Sequence, residues 1–236
     1  MTAISEESQI KECLLEINER IARSAARAGR AASDITLVAA TKTQSAETVR
    51  AAINAGIRVC GENRVQELVE KSEQNAYSGA ELHFIGSLQT NKINKLAGQV
   101  GLLQSVPSIK ALRLISARAE DLTIVQDVLL EINIGAEKAK HGFLPDSLAE
   151  ALEAAACLPN IRVRGLMSIP PAEQNPDRDA FWFTKCRELF EKCAAYGADN
   201  VQMKILSMGM SDSFQQAIEC GSNMVRIGTS LFGKRQ

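Results

Sequence analysis

The stretch Ile35-Thr-Leu-Val-Ala-Ala40, followed by Thr41 and Lys42, is a short apolar run that ends in polar residues. Similar runs recur along the chain and predict eight strands, at residues 35–40, 57–60, 82–85, 102–106, 125–133, 163–169, 203–208 and 224–227. Helix-like segments separate them, and this alternation predicts parallel strands joined by crossover helices. A doubly wound sheet would alternate in the same way. Eight units rich in Val, Ile and Leu favour a single-domain α/β fold, a TIM-type (β/α)8 barrel over residues 1–236.

The N-terminal segment is expected to complete this barrel from outside. Residues 6–29 read as an amphipathic helix, because apolar residues recur there at spacings of three and four. After the eighth predicted strand only residues 228–236 remain, which is too few for a full outer helix. We therefore expect the extra N-terminal helix to fill the gap between the first and last strands. Further helices are predicted at residues 46–55, 66–74, 109–119 and 148–156.

Composition excludes several classes of protein. The chain has 27 Lys+Arg against 28 Asp+Glu, a formal net charge of −1, and no basic stretch, which argues against nucleic acid or an anionic membrane as partner. No apolar run approaches the roughly 20 residues that span a bilayer, and we expect no signal peptide. The six cysteines form no CxxC pair and there are only two histidines, so we expect no metal site and reduced thiols in a cytoplasmic protein.

Lys42 is the first candidate for chemistry. In a TIM barrel the active site lies at the carboxyl ends of the strands, and Lys42 follows the first strand. A lysine beside an apolar barrel is desolvated, which favours the neutral amine as a nucleophile toward carbonyl groups. The alternative is an ordinary surface lysine just past a strand.

Two turns rich in small residues, at 207–213 and 228–230, form the second candidate. They follow strands seven and eight, where this fold often binds phosphate through backbone N–H groups and hydroxyls. Ordinary turn chemistry would explain the same residues. A nucleophilic lysine facing a phosphate cradle suggests either a pyridoxal phosphate pocket or a lysine-dependent aldolase acting on a sugar phosphate. No HExxH, P-loop or GxSxG motif competes with these two interpretations.

At these residues the sequence resembles the YggS/PROSC family of pyridoxal-phosphate-binding proteins. The resemblance spans nearly the whole chain in the expected order, and the HFIGxLQxNK and LSMGMSD segments are its most specific parts. The matching segments are residues 37–42 (LVAATK), 61–67 (GENRVQE), 83–92 (HFIGSLQTNK), 164–167 (RGLM), 206–212 (LSMGMSD) and 224–229 (MVRIGT).

This resemblance implies a fold and a set of cofactor-binding residues. The fold would be the barrel of the fold-type III enzymes, like the N-terminal domain of alanine racemase. Lys42 would hold pyridoxal 5′-phosphate, a form of vitamin B6, as an internal aldimine (Schiff base). The phosphate would be bound by Ser207, Gly228 and Thr229, and the backbone N–H groups of Met210 and Ser211 would help. Asn63 would lie near the ring, and Arg226 would face the pyridine nitrogen. His83, Gln89, Asn91 and Lys92 are typical of the family but have no assigned role, and His141 stands where many relatives have Ser.

The resemblance also implies a function without catalysis. The expected role is a monomeric carrier or buffer in pyridoxal phosphate homeostasis, which affects amino-acid and keto-acid balance and supplies the cofactor to apoenzymes. Arg226 can only donate, so it would leave the ring nitrogen unprotonated and the ring a weaker electron sink. Racemisation needs a second acid/base; the chain is expected to have no room for the domain that brings it, and neither Tyr77 nor Tyr196 follows a predicted strand. A regulatory interaction protein and a weak amino-acid racemase are the alternatives.

Overall fold

The computed structural model of the chain describes residues 3–171 and 175–233. Eight parallel strands form a closed barrel in which each strand pairs with the next and the last pairs with the first. The strands are β1 (Thr36–Ala40), β2 (Val59–Glu62), β3 (Glu81–Phe84), β4 (Leu102–Val106), β5 (Gln126–Ile132), β6 (Ile161–Ser168), β7 (Val201–Ser207) and β8 (Met224–Ile227). The predicted (β/α)8 barrel is confirmed.

Helices cover the outside of the barrel. They are α1 (Ala3–Arg27), α2 (Ala46–Ala55), α3 (Val65–Glu73), α4 (Ile93–Leu96), α5 (Ile109–Asp121), α6 (Leu148–Ala156), α7 (Pro176–Ala194), α8 (Phe214–Glu219) and α9 (Thr229–Phe232). Helix α9 has only four residues, and α1 packs against α2, α8 and α9. The N-terminal helix therefore fills the gap between the last and first strands, as expected.

The second strand was predicted two residues too early. Residues 57–60 form the apolar run, but β2 begins at Val59 and ends at Glu62. Gly56 ends α2 with φ 122°, and the Ile57 N–H donates back to the Ala52 carbonyl, so Ile57 belongs to the turn that follows the helix. Ile57 is buried in the layer between barrel and helices, which explains why it looked like part of a strand.

Three later strands also have bounds that differ from the prediction. The strands predicted at 125–133, 163–169 and 203–208 are Gln126–Ile132, Ile161–Ser168 and Val201–Ser207. Met208 follows β7 and is fully buried without being part of the strand. Buried apolar residues such as Ile57 and Met208 therefore lie outside the hydrogen-bonded ladder, whereas β6 and β7 begin two residues earlier than predicted, because the polar residues Arg162 and Gln202 interrupt the apolar runs there.

The core has two layers. The large outer layer lies between the barrel and its helices, and a small inner cluster fills the barrel. That inner cluster consists of Val38, Val59, Leu102, Leu129, Met167 and Met224. On β8 the residue two positions after Met224 is Arg226, so the next inward position toward the carboxyl end is charged. The apolar filling thus gives way to polar groups at the carboxyl ends of the strands, which we call the mouth.

Candidate functional site

Lys42 stands at the mouth, two residues beyond the end of β1. Its side chain is half-buried, between a buried Thr41 and an exposed Thr43. The full desolvation expected from the sequence is therefore corrected to partial burial. Within the described residues, the Lys42 Nζ has no hydrogen-bond or ion-pair partner. No contact therefore fixes the Lys42 side chain, whereas the backbone around it is fixed.

A buried ion pair holds the residue that precedes Lys42. Glu62, at the end of β2, has no exposed surface, and its Oε1 accepts from Thr41 Oγ1 at 2.7 Å and from Lys71 Nζ at 2.7 Å. Lys71 also donates to the Thr41 carbonyl at 2.8 Å. The Tyr77 hydroxyl completes the cluster with a bond of 3.0 Å to Glu62, and burial raises its pKa far above the ordinary value. Tyr77, which follows no predicted strand, is buried in this cluster.

The residue that follows Lys42 is fixed as well. Thr43 has a left-handed backbone, with φ 65°, which is uncommon for a residue with a branched side chain. Its N–H donates to Glu67 Oε2 at 2.6 Å, and Glu67 lies in the first turn of α3. Both neighbours of Lys42 are thus tied to β2 and α3, which restricts the lysine backbone to one conformation.

Arg226 places a buried cation at the same mouth. Its side chain is 4% exposed, Nη1 lies 2.5 Å from Ser207 Oγ, and Nη2 donates to the Ser168 carbonyl at 2.9 Å. Burial lowers the pKa of Arg226 to about 10, although the carboxylate of Glu131 opposes this shift. The guanidinium therefore remains protonated at neutral pH and can act only as a donor.

The turn after β8 lies directly against the end of β1. Ala39 pairs with Ile227 in the sheet, and a side-chain carbon added at Gly228 would lie 3.3 Å from Ala40 Cβ. The backbone N–H groups of Gly228 and Ser230 both point at Ser211 Oγ, at 3.3 Å each. This set of donors is arranged around one oxygen atom, next to the strand that carries Lys42.

The predicted site residues fall into two groups. Gly228 and Thr229 lie in the turn beside β1, and Ser211, in the loop after β7, places its hydroxyl against that turn. Ser207 lies instead with Arg226, where its hydroxyl faces the barrel interior and Gln104 Oε1 at 2.7 Å. The Met210 N–H, expected as a donor in the turn, donates to Ser213 Oγ at 3.2 Å. The Met210 side chain is 46% exposed.

Asn63 directly follows β2 at the mouth and also lines a basic cavity. Its Oδ1 is buried and has no hydrogen-bond partner. Together with Arg64, Gln89, Lys92 and Lys95 it lines a cavity of ≈ 430 Å³ next to the start of α3. Gln89 and Lys92, typical of the family, therefore share a surface.

The remaining family-typical residues lie elsewhere. Asn91 is exposed, whereas His83 is inside the barrel and contacts Gln104. The sequence segment 83–92 thus contributes to two different parts of the molecule.

Several site residues were missed from the sequence. Gln104 and Glu131 are polar residues that interrupt the apolar parts of β4 and β5, and that interruption is the signal that could have revealed them. Glu131 lines a cavity of ≈ 240 Å³ at the mouth, together with Gly86, Lys140 and His141. Its Oε2 is buried without a partner, and burial raises the pKa of Glu131.

The part of the chain that the structure describes contains neither a metal site nor a membrane-spanning helix. Over residues 3–171 and 175–233 there is no group of three or more His, Cys, Asp or Glu side chains that could hold a metal ion. Within the same ranges no helix combines the length and apolar character that crossing a membrane requires. All six cysteines are free.

Known proteins match this chain over nearly its whole length. Residues 15–236 match the family described as alanine racemase, N-terminal domain. A pyridoxal phosphate homeostasis protein of Aquifex aeolicus, strain VF5, is 44% identical over 225 residues, which covers 95% of this chain and 98% of that protein.

Two solved structures share the fold. PipY of Synechococcus elongatus PCC7942, solved with PLP bound, matches with a TM-score of 0.79 and 28% identity, over 95% of this chain and 100% of that one. Alanine racemase from Corynebacterium glutamicum matches with a TM-score of 0.72 and 15% identity, over 97% of this chain and 62% of the racemase. The racemase likeness shows the fold alone.

The buried ion pair behind Lys42 predicts a large stability effect. Lys71→Met leaves the Glu62 carboxylate buried without its cation, so the free energy of unfolding should fall by about 3–5 kcal/mol. Urea unfolding, monitored by circular dichroism, measures this free energy. The matched control is Lys185→Met, because Lys185 forms an exposed pair with Glu188 at 2.8 Å, and exposed pairs contribute about 1 kcal/mol or less. Equal losses in the two variants would contradict a structural role for the pair.

Glu131 predicts a pH-dependent effect of the opposite sign. Burial raises its pKa above the ordinary 4.5, so its contribution to stability is full at acid pH and is lost as the pH rises through the folded-state pKa. Glu131→Gln should therefore raise the free energy of unfolding at neutral pH, and the gain should vanish below the ordinary pKa. Urea titrations at both pH values, with the exposed Glu150→Gln as control, test this. A gain that is independent of pH would refute it.

Proposed function

This chain belongs to the family of pyridoxal phosphate homeostasis proteins, and from that membership we propose that it binds pyridoxal 5′-phosphate reversibly at the barrel mouth and carries it. The observation that supports this best is the register of β1 and β8. Ala39 pairs with Ile227, so Lys42 and the Gly228 turn extend side by side from neighbouring strands. An amine and a set of hydrogen-bond donors for a phosphate group are thereby adjacent.

The turn beside β1 suits a phosphate group. The N–H groups of Gly228 and Ser230 converge on one oxygen, Ser211 Oγ, so a phosphate oxygen that replaced Ser211 Oγ as their acceptor would bind to the same donors. The hydroxyls of Ser211 and Thr229 supply further donors. Helix α9 is too short to add much of a dipole, so these individual hydrogen bonds would hold the phosphate.

Lys42 and Arg226 suit the rest of the cofactor. The bound cofactor supplies an aldehyde that reacts with amines, and the free Nζ of Lys42 is the group that would hold it covalently. Arg226 would face the ring nitrogen, to which it can only donate, so the nitrogen would accept a hydrogen bond and take no proton. The orphaned oxygen of Asn63 supports a ligand contact on that side of the mouth.

The placement of the tyrosines favours a carrier over a racemase. A two-base racemase needs an acid/base on the far side of the cofactor from Lys42. The Tyr77 hydroxyl is committed to Glu62, and Tyr196 lines an outer cavity between α6 and α7. We therefore propose a monomeric, cytoplasmic protein that buffers the cofactor and supplies it to apoenzymes.

A weak amino-acid racemase is the second candidate, and His141 is the observation that favours it. His141 lines the mouth cavity that also contains Glu131, so an imidazole is present near the proposed cofactor site. Exchange of the α-hydrogen of an added amino acid with solvent deuterium, abolished in Lys42→Ala and in His141→Ala, would support the racemase. Absence of exchange supports the carrier.

Removing the reactive amine should abolish covalent binding. We expect Lys42→Ala to lose the visible absorption band that the wild type gains with pyridoxal phosphate. Borohydride reduction followed by peptide mass spectrometry should place the trapped adduct on Lys42. Lys110→Ala, on the exposed face of α5, serves as control and should behave as the wild type does. An adduct on another lysine, or no uptake by the wild type, would contradict the proposal.

Removing a hydroxyl that donates a hydrogen bond to the phosphate should weaken cofactor binding without unfolding the protein. Thr229 is exposed, so Thr229→Ala should leave the free energy of unfolding nearly unchanged. We expect it to cost about 1–3 kcal/mol of cofactor binding, the usual loss of a hydrogen bond to a charged group. Fluorescence titration measures the affinity, with the exposed Thr90→Ala as control. Unchanged affinity would remove Thr229 from the site.

A further inference from the structure

Five side chains form a continuous line of hydrogen bonds through the barrel interior. The line runs from Arg226 at the mouth to Glu81 at the opposite rim, through Ser207, Gln104 and His83. Successive polar atoms lie 2.5, 2.7, 2.9 and 2.9 Å apart. All members are buried except Glu81, the first residue of β3, whose side chain is 56% exposed. The line therefore connects the mouth with solvent at the far end of the barrel.

The direction of the bonds follows from the guanidinium and from the orientation of the Gln104 amide. A guanidinium only donates, so Ser207 Oγ accepts from Arg226, and an amide oxygen only accepts, so the Ser207 hydroxyl donates to Gln104 Oε1. The Gln104 amide nitrogen then faces His83 Nδ1 at 2.9 Å and Met224 Sδ at 3.2 Å. Both hydrogens of that nitrogen therefore have an acceptor. This favours the present orientation of the Gln104 amide over the one in which its oxygen and nitrogen are exchanged.

The direction of these bonds also determines the form of His83. Its Nδ1 accepts from Gln104, so the hydrogen of the neutral ring is on Nε2, which donates to Glu81 Oε1. This bond lowers the pKa of the Glu81 carboxyl, with the charge of Arg164 in support. The line therefore runs from a cation to a carboxylate with every donor pointing the same way.

We propose that Ser207, Gln104, His83 and Glu81 are positioning residues that hold the Arg226 guanidinium in one orientation toward the bound cofactor ring. This inference rests on the proposed function. Only the Ser168 carbonyl and Ser207 hold the guanidinium directly among the described residues. Rotating the guanidinium would leave Ser207 Oγ without its donor in a fully buried position. Each link in turn fixes the next, so the orientation of the donor at the mouth depends on residues at the other end of the barrel.

The central test is Gln104→Met, which keeps the length of the side chain and removes both links. Its matched control is Gln126→Met, because Gln126 is also a buried glutamine of the barrel, but its side chain bonds only to backbone groups of Gly98, Val100, Gly101 and Asp127. If Gln104 had a purely structural role, both substitutions would change cofactor binding alike. If Gln104 positions Arg226, only Gln104→Met changes cofactor binding.

The first readout is ¹⁵N NMR of His83 in protein free of cofactor. The chain has two histidines, so a His141→Gln background leaves His83 as the only imidazole. We expect a protonated Nε2 and an unprotonated Nδ1 in that background and in Gln126→Met, and averaged signals in Gln104→Met. A protonated Nδ1 in the background protein would overturn the proposed direction of the bonds, whatever the protein binds.

The second readout is affinity for pyridoxal phosphate. We expect about a three- to tenfold loss in Gln104→Met, the usual effect of one or two hydrogen bonds, and less than twofold in Gln126→Met. Equal losses would overturn the positioning role. Failure of the wild type to bind would overturn the proposed function, and the NMR result would still report the bond direction. If Gln104→Met does not fold, Glu81→Gln at the exposed end should still weaken binding about two- to threefold, and unchanged affinity there would also count against the proposal.

Discussion

The burial of the Arg226 guanidinium is the constraint on which the rest of the site depends. Removing a charged group from water costs several kcal/mol unless polar partners and opposite charge compensate, and here burial lowers its pKa to about 10. The compensation comes from the ends of β6 and β7, through the Ser168 carbonyl and the Ser207 hydroxyl, and from the charge of Glu131. A donor that cannot give up its proton is thereby fixed at the barrel mouth.

The region around Lys42 follows a different principle, in which the backbone is rigid and the side chain is free. Thr41 is tied to the Glu62–Lys71 pair, and Thr43 is tied to Glu67. The Lys42 amine itself is only half-buried. A pre-organised but accessible amine suits a ligand that must be captured and released again, since little ordering is needed on capture and the mouth remains open for exchange.

The sequence was sufficient for the barrel and for the residues at the ends of its strands. Alternation and the count of eight predicted the fold, and the position just past β1 predicted the place of Lys42. Gln104 and Glu131 could not be found in this way, because whether a polar residue of a strand faces the barrel interior depends on the strand register. Ser207 itself was predicted as a site residue, but its hydrogen bonds to Gln104 on β4 and Arg226 on β8 could not be predicted, because they too depend on the strand register. The buried role of Tyr77 arises from a segment that reads as polar in sequence.

The most direct test of this account is a crystal structure of the protein grown with pyridoxal phosphate. We expect electron density continuous with Lys42 Nζ, the phosphate at the N–H groups of Gly228 and Ser230, and the ring nitrogen within hydrogen-bond distance of Arg226. Density in the basic cavity beside Arg64 and Lys92, or a ring nitrogen that faces away from Arg226, would contradict it.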